Sequence, residues 1–137
     1  MPNAELEATA NRETGTPTIL TVEDDETIGD LLVRLMEQET PYKALHVTDA
    51  VQALEAVSSI KPSLFILDYQ LPGINGLELA DQLHSIKELE TVPTLMVSAN
   101  SPAREEMQQR HITFLKKPFD LHDLLTTVER LLPKQER

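Results

Sequence analysis

Short runs of β-branched and aliphatic residues recur along this chain, each followed by apolar positions at helical spacing. Thr18-Ile19-Leu20-Thr21-Val22 predicts a first strand and Leu45-His46-Val47 a second, weaker one. Ser63-Leu64-Phe65-Ile66-Leu67 is nearly all apolar, which predicts a strand buried on both faces. Thr94-Leu95-Met96-Val97 follows Pro93, and Ile112-Thr113-Phe114-Leu115 precedes Pro118, so that prolines mark strand boundaries rather than interiors.

The intervening segments read as helices of unequal strength. Ile28, Leu31, Leu32, Leu35 and Met36 share one helical face, and so do Leu121, Leu124, Leu125, Val128, Leu131 and Leu132, with Asp120 as N-cap. All six apolar residues of that last helix are expected to be buried. Thr48 or Asp49 caps a helix carrying Val51, Leu54 and Val57, and Asn75-Gly76 ends a turn before a helix over Leu77 to Ile86. The helix after Ser101-Pro102 has only Ala103 and Met107 as apolar anchors and is expected to be the most weakly held. Strands interleaved with helices in this way predict an α/β domain: a five-stranded parallel sheet, doubly wound, with five helices over its two faces.

Length adds that one domain is expected, over residues 18–133, after an N-terminal tail 1–17 expected to be disordered because it has little to bury, and before a polar end at 134–137. The absence of cysteine excludes disulfides, thiolate metal sites and thiol catalysis. The formal charge of −11 argues against a nucleic-acid partner, which would select a basic stripe. No leader-like or membrane-spanning apolar run is present in the sequence, so a cytoplasmic location is expected.

In a parallel sheet, ligands bind where strands reach their carboxyl ends, and the candidate chemistry falls on that rim. The first strand runs into Glu23-Asp24-Asp25, the third into Asp68, the fourth into Ser98 and the fifth into Lys116-Lys117. Acidic residues that open a helix are common for the dipole alone. Adjacent carboxylates at a buried strand end also repel, and a hard cation such as Mg²⁺ relieves that repulsion. Asp68 is either a turn former or, facing Glu23 and Asp24, a further metal-side carboxylate and a nucleophile for a phosphoryl group. Ser98 supplies a small hydroxyl donor, and Lys117 a point charge that suits a phosphoryl oxygen.

In this order and spacing, Ile19-Leu20-Thr21-Val22-Glu23-Asp24-Asp25, Ile66-Leu67-Asp68-Tyr69-Gln70-Leu71-Pro72-Gly73, Val97-Ser98-Ala99 and Phe114-Leu115-Lys116-Lys117-Pro118-Phe119 resemble the receiver domain of bacterial two-component response regulators. The resemblance covers Thr18 to about Leu132. It implies a flavodoxin-like fold, with Mg²⁺ held by Asp24, Asp68 and the backbone carbonyl of Gln70, and with Glu23 acting through metal-bound water. Asp25 would belong to the following loop. Asp68 would take a phosphoryl group from a phosphohistidine on a sensor histidine kinase or histidine phosphotransfer protein. Ser98 and Lys117 would bind the phosphoryl oxygens, Phe114 would turn inward as the switch aromatic, and the Lys117-Pro118 bond would be cis.

On this resemblance the chain is a signalling domain rather than a turnover enzyme, passing its state to an unidentified downstream protein. It ends soon after the last helix, which favours a single-domain regulator over the receiver portion of a larger regulator or hybrid kinase. Between Ser98 and Lys117 it is shorter than the family pattern by about one helical turn, with Arg110-His111 where small residues usually stand. The family's usual pairing through that surface is therefore less expected than a monomer or a different pairing. Haloacid-dehalogenase-like phosphatases also use an Asp nucleophile with Mg²⁺, but they want a second carboxylate where this chain has Gln70. A degenerate, binding-only receiver is disfavoured by the complete acidic, Ser and Lys set. Nucleotide-binding folds are disfavoured because no glycine-rich turn follows a strand.

Overall fold

The computed structural model describes residues 17–100 and 104–132. Within them, five parallel strands run in the order β2-β1-β3-β4-β5: β1 Thr18–Val22, β2 Lys43–Val47, β3 Leu64–Asp68, β4 Thr94–Ser98 and β5 Thr113–Lys116. The helices are α1 Glu26–Glu39, α2 Ala50–Ala56, α3 Gly76–His84, α4 Arg104–Gln109 and α5 Leu121–Leu131, with a short 3₁₀ turn at Lys87–Leu89. Of the segment expected over 1–17, only Pro17 lies within the described residues, and there the expectation is corrected. Pro17 is buried and its carbonyl accepts from Lys43 N–H at 3.1 Å, extending the pairing of β1 with β2. The polar end 134–137, Pro133 and Ala103 lie outside the described residues.

Side chains of the central strands alternate between two apolar layers, as a pleated strand covered on both faces requires. Leu20, Phe65, Leu67 and Met96 pack with Ala53 of α2, Leu79 and Leu83 of α3 and Met107 of α4. Ile19, Leu64, Ile66, Leu95 and Val97 pack with Leu32 and Met36 of α1 and Leu124 and Val128 of α5. Helices α1 and α5 thus cover one face, and α2, α3 and α4 the other.

Caps set the helix starts. Asp25, Asp49 and Asp120 each accept a hydrogen bond from a backbone N–H of the first turn of α1, α2 and α5. Asn75 and Glu78 form a reciprocal capping box at the start of α3. That helix begins at Gly76 and stops at His84, shorter at its end than the sequence pattern suggests.

Three apolar stripes are narrower than their periodicity implies. Ile28 and Leu31 on α1 are exposed although Leu32 and Met36 are buried. Val51 on α2 is 66% exposed, and the buried positions there are Ala50, Ala53 and Val57. On α5, Leu124, Val128 and the following Leu132 are buried, Leu125 and Leu131 partly so, and Leu121 is exposed, which corrects the expectation that all six are covered. A helix lying on a flat sheet covers only the side chains that point at it, and those at the margin of the stripe stay in water.

Candidate functional site

Strand order places the carboxyl ends of β1 and β3 side by side, with β2 and β4 outside them. The crossovers leave β1 and β3 in opposite directions, one to each flank, and a crevice opens between their ends. Three carboxylates meet there. Glu23 and Asp24 follow β1, Asp68 ends β3, and one oxygen from each lies within 4.8 Å of the others. Glu23 and Asp68 are buried, whereas Asp24 is exposed and gives the pocket its open side.

Lys117 reaches into this cluster from the end of β5. Its Nζ donates to Glu23 Oε1 at 3.1 Å and to Asp68 Oδ2 at 3.2 Å. Its backbone N–H donates to the carbonyl of Ser98 at 2.8 Å, and the Lys117-Pro118 peptide is cis, as the family resemblance implies. Burial pushes the Glu23 carboxyl above its usual range against the pull of Asp25 N–H and Lys117, with the Asp68 charge adding to the rise. Burial of Lys117 by itself would lower its affinity for a proton. Glu23 and Asp68 override this and hold the ammonium above its ordinary value. The pocket is therefore acid-rich with one cation lodged in it, and a hard, oxygen-seeking divalent metal fits this donor set.

Local backbone bonds fix the Asp68 carboxylate. Gln70 N–H donates to Asp68 Oδ1 at 3.2 Å, closing a turn on the carboxylate, and Tyr69 N–H continues the sheet by donating to Val97 carbonyl at 3.0 Å. Gly76 N–H returns to the Tyr69 carbonyl at 2.7 Å. A Cβ at Gly76 would stand 2.6 Å from both the Asp68 carbonyl oxygen and Met96 Sδ, so only glycine lets α3 start this close to Asp68. The sequence marks Gly76 as a turn residue and gives no sign of this contact.

The remaining predicted residues flank the cluster. Ser98 is buried at the end of β4, one strand beyond Asp68, where its Oγ accepts from Asn100 N–H at 3.1 Å. Gln70 is exposed just past Asp68. The Asp25 carboxylate is outside the cluster and caps α1, while its backbone N–H donates to Glu23 Oε2 at 3.2 Å. Phe114 pairs with Met96 across β4 and β5 and lies half-buried against the core on the α3 side.

Residues 19–129 match the family model of the response regulator receiver domain. The chain belongs to that family. It is 28% identical over 118 residues to sporulation initiation phosphotransferase F of Bacillus subtilis, covering 84% of this chain and 93% of that protein. It is 27% identical over 124 residues to the DNA-binding dual master transcriptional regulator RpaA of Synechocystis, covering 88% of this chain and 51% of that protein. This chain thus spans about half the length of several curated relatives it matches. Among solved structures, the response regulator protein TrrA of Thermotoga maritima in complex with Mg(2+)-BeF superposes with a TM-score of 0.74 at 28% identity, over 85% of this chain and 100% of that one. Receiver domains are signalling modules of two-component systems, not members of a metabolic enzyme family. Among the described residues, no helix is long and apolar enough to cross a membrane.

Proposed function

We propose that this domain accepts a phosphoryl group on Asp68 from a phosphohistidine of a sensor histidine kinase or histidine phosphotransfer protein, in the cytoplasm, and that a Mg²⁺ ion assists. The observation that carries this reading is the convergence of Glu23, Asp24, Asp68 and Lys117 on one crevice between strand ends. Asp24, Asp68 and the backbone carbonyl of Gln70 would hold the ion, with Glu23 acting through its water. When bound, the ion supplies positive charge that offsets the repulsion between an incoming phosphoryl group and the carboxylates.

The protein's own part is positioning. The turn at Gln70 and the close start of α3 hold the Asp68 carboxylate in a buried place with one side open. A carboxylate oxygen bonds to phosphorus as the P–N bond of the phosphoimidazole breaks, and the electron pair left on nitrogen takes a proton. Lys117 already spans Glu23 and Asp68, so its ammonium is in reach of an oxygen on a group attached to Asp68. Ser98, at the next strand end, offers its hydroxyl to another. Such a transfer needs little beyond orientation and charge neutralisation. Movement of Lys117 and Ser98 toward the phosphoryl group draws on β4 and β5, and Phe114 is the half-buried aromatic that would follow. The domain takes up one phosphoryl group and changes state, without turning over a substrate. The complex of TrrA with Mg(2+)-BeF supports the choice of metal and of an anionic ligand.

Incubation with acetyl phosphate and Mg²⁺ tests this. Intact mass is expected to show one added phosphoryl group, absent in Asp68→Asn and strongly reduced with chelator. Undiminished labelling of the Asn variant would overturn the assignment.

A further inference from the structure

The acidic pair lies beyond the last ladder residue of β1, yet its backbone is anchored twice by the neighbouring edge strand. Glu23 N–H donates to the Val47 carbonyl at 3.1 Å. Glu23 carbonyl accepts from Nε2 of His46 at 2.8 Å, so that nitrogen carries the hydrogen. This carbonyl belongs to the peptide that joins Glu23 to Asp24. Holding its plane restrains ψ of Glu23 and φ of Asp24, and so narrows the directions in which the two side chains leave the backbone.

His46 reaches this carbonyl because of a gap in α1. A Cβ at Gly29 would stand 2.0 Å from His46 Nε2, 2.2 Å from Cε1 and 2.3 Å from Cδ2, so the ring occupies the place a side chain would take. The ring is 8% exposed, with Asp30 Oδ1 3.7 Å from Nδ1 at its outer edge. Glycine inside a helix is unfavourable relative to almost every other residue, so its presence within α1 calls for a compensating contact. The seat for His46 is that contact.

We infer that His46, seated over Gly29, is a positioning residue that pre-organises the Glu23–Asp24 carboxylates for a divalent cation. This rests on the reading above that the pocket holds one. His46 touches no cation and no phosphoryl group; it acts through the peptide plane, as partners behind metal ligands generally do. The sequence shows only a histidine in the weakest strand and a glycine in a helix, and the link between them needs the fold.

Three variants of the full chain test it. His46→Leu fills the space without a donor, Gly29→Ala keeps the histidine but evicts its ring, and His46→Gln places an amide where Nε2 was. The probe is Mg²⁺ alone, titrated while the amide resonances of Asp24, Asp68 and Tyr69 are followed, with thermal melts in chelator alongside. His46→Leu and Gly29→Ala are expected to weaken Mg²⁺ binding by about tenfold, and His46→Gln to restore most of it. A role in packing alone would lower the melting midpoint and leave the affinity of the folded protein unchanged. Should His46→Leu fail to fold, His46→Met, unbranched and lacking a donor, takes its place. Parental Mg²⁺ affinity in a folded donor-less variant overturns the inference alone. Absence of Mg²⁺ shifts at Asp24 and Asp68 in the unmutated protein overturns it together with the cation site.

Discussion

Arg110 grips Asp81 through both arms of its guanidinium, Nε to Oδ1 at 2.7 Å and Nη2 to Oδ2 at 3.0 Å. The same side chain donates from Nη1 to the Glu106 carbonyl at 2.9 Å, so one residue ties the end of α4 to the middle of α3. The next residue, His111, takes a positive φ of 56° to turn the chain into β5.

That grip has a pH signature. The hydrogen bond from Arg110 holds the Asp81 carboxyl below its usual range, with burial opposing. A depressed folded value means the pair stabilises the fold above the ordinary carboxylate range and loses its contribution as pH falls through the folded value. Asp81 is half-exposed, so screening limits the pair to about 0.5 kcal/mol. Arg110→Met is expected to melt slightly below the parent near neutrality and together with it in strong acid. A gap that persists unchanged into acid would show that Arg110 acts by packing.

Among the described residues, helix α4 has little else to hold it. Of its six residues only Met107 is buried, and burying one methionine contributes about 1.5–3 kcal/mol. Amides of residues 104–111 are expected to exchange with solvent fastest among the helices, faster still in Arg110→Met, and more slowly once Asp68 is phosphorylated. Resting-state protection equal to that of α5 would contradict this.

Gly76→Ala forces a methyl group against the Asp68 carbonyl, a backbone atom that cannot turn aside. Overpacking of this kind destabilises by about 1–3 kcal/mol. Urea denaturation should show the loss, and acetyl phosphate labelling of the folded variant should slow, because the acceptor's turn is displaced. Unchanged stability and rate would mean that α3 can shift outward freely.

Lys117→Met removes the cation shared by Glu23 and Asp68. Without added metal the variant is expected to be less stable by about 1.5–3 kcal/mol, the scale of a hydrogen bond to a charged group. Mg²⁺ should then raise its melting midpoint more than the parent's, since the ion takes over a neutralising role that Lys117 fills in the resting protein. Equal Mg²⁺ shifts in the two proteins would separate Lys117 from the metal pocket.

The acidic pair, Asp68, Ser98 and Lys117 were legible in the sequence because each follows or ends an apolar run, and a parallel sheet gathers such ends on one rim. The strand cores were legible for the same reason. Periodicity did not reveal that Ile28, Leu31, Val51 and Leu121 stay exposed, since it marks an amphipathic face without fixing how much of it the sheet covers. His46 and Gly29 escaped for a different reason. Their meeting point is the carbonyl of Glu23, a backbone atom that every residue has and that no residue type advertises.

The strand order also grades the sheet mechanically. β1, β3 and β4 are buried along their whole length, while β2 and β5, paired on one side only, are half-open to water. Asp68 ends the middle strand, which is clamped by hydrogen-bonded ladders on both flanks, so it serves as a fixed anvil. Lys117 leaves β5, an edge strand laddered on one side only. A pull between the two therefore acts between a strand held on both flanks and a strand held on one, so the β5 side is the one expected to give.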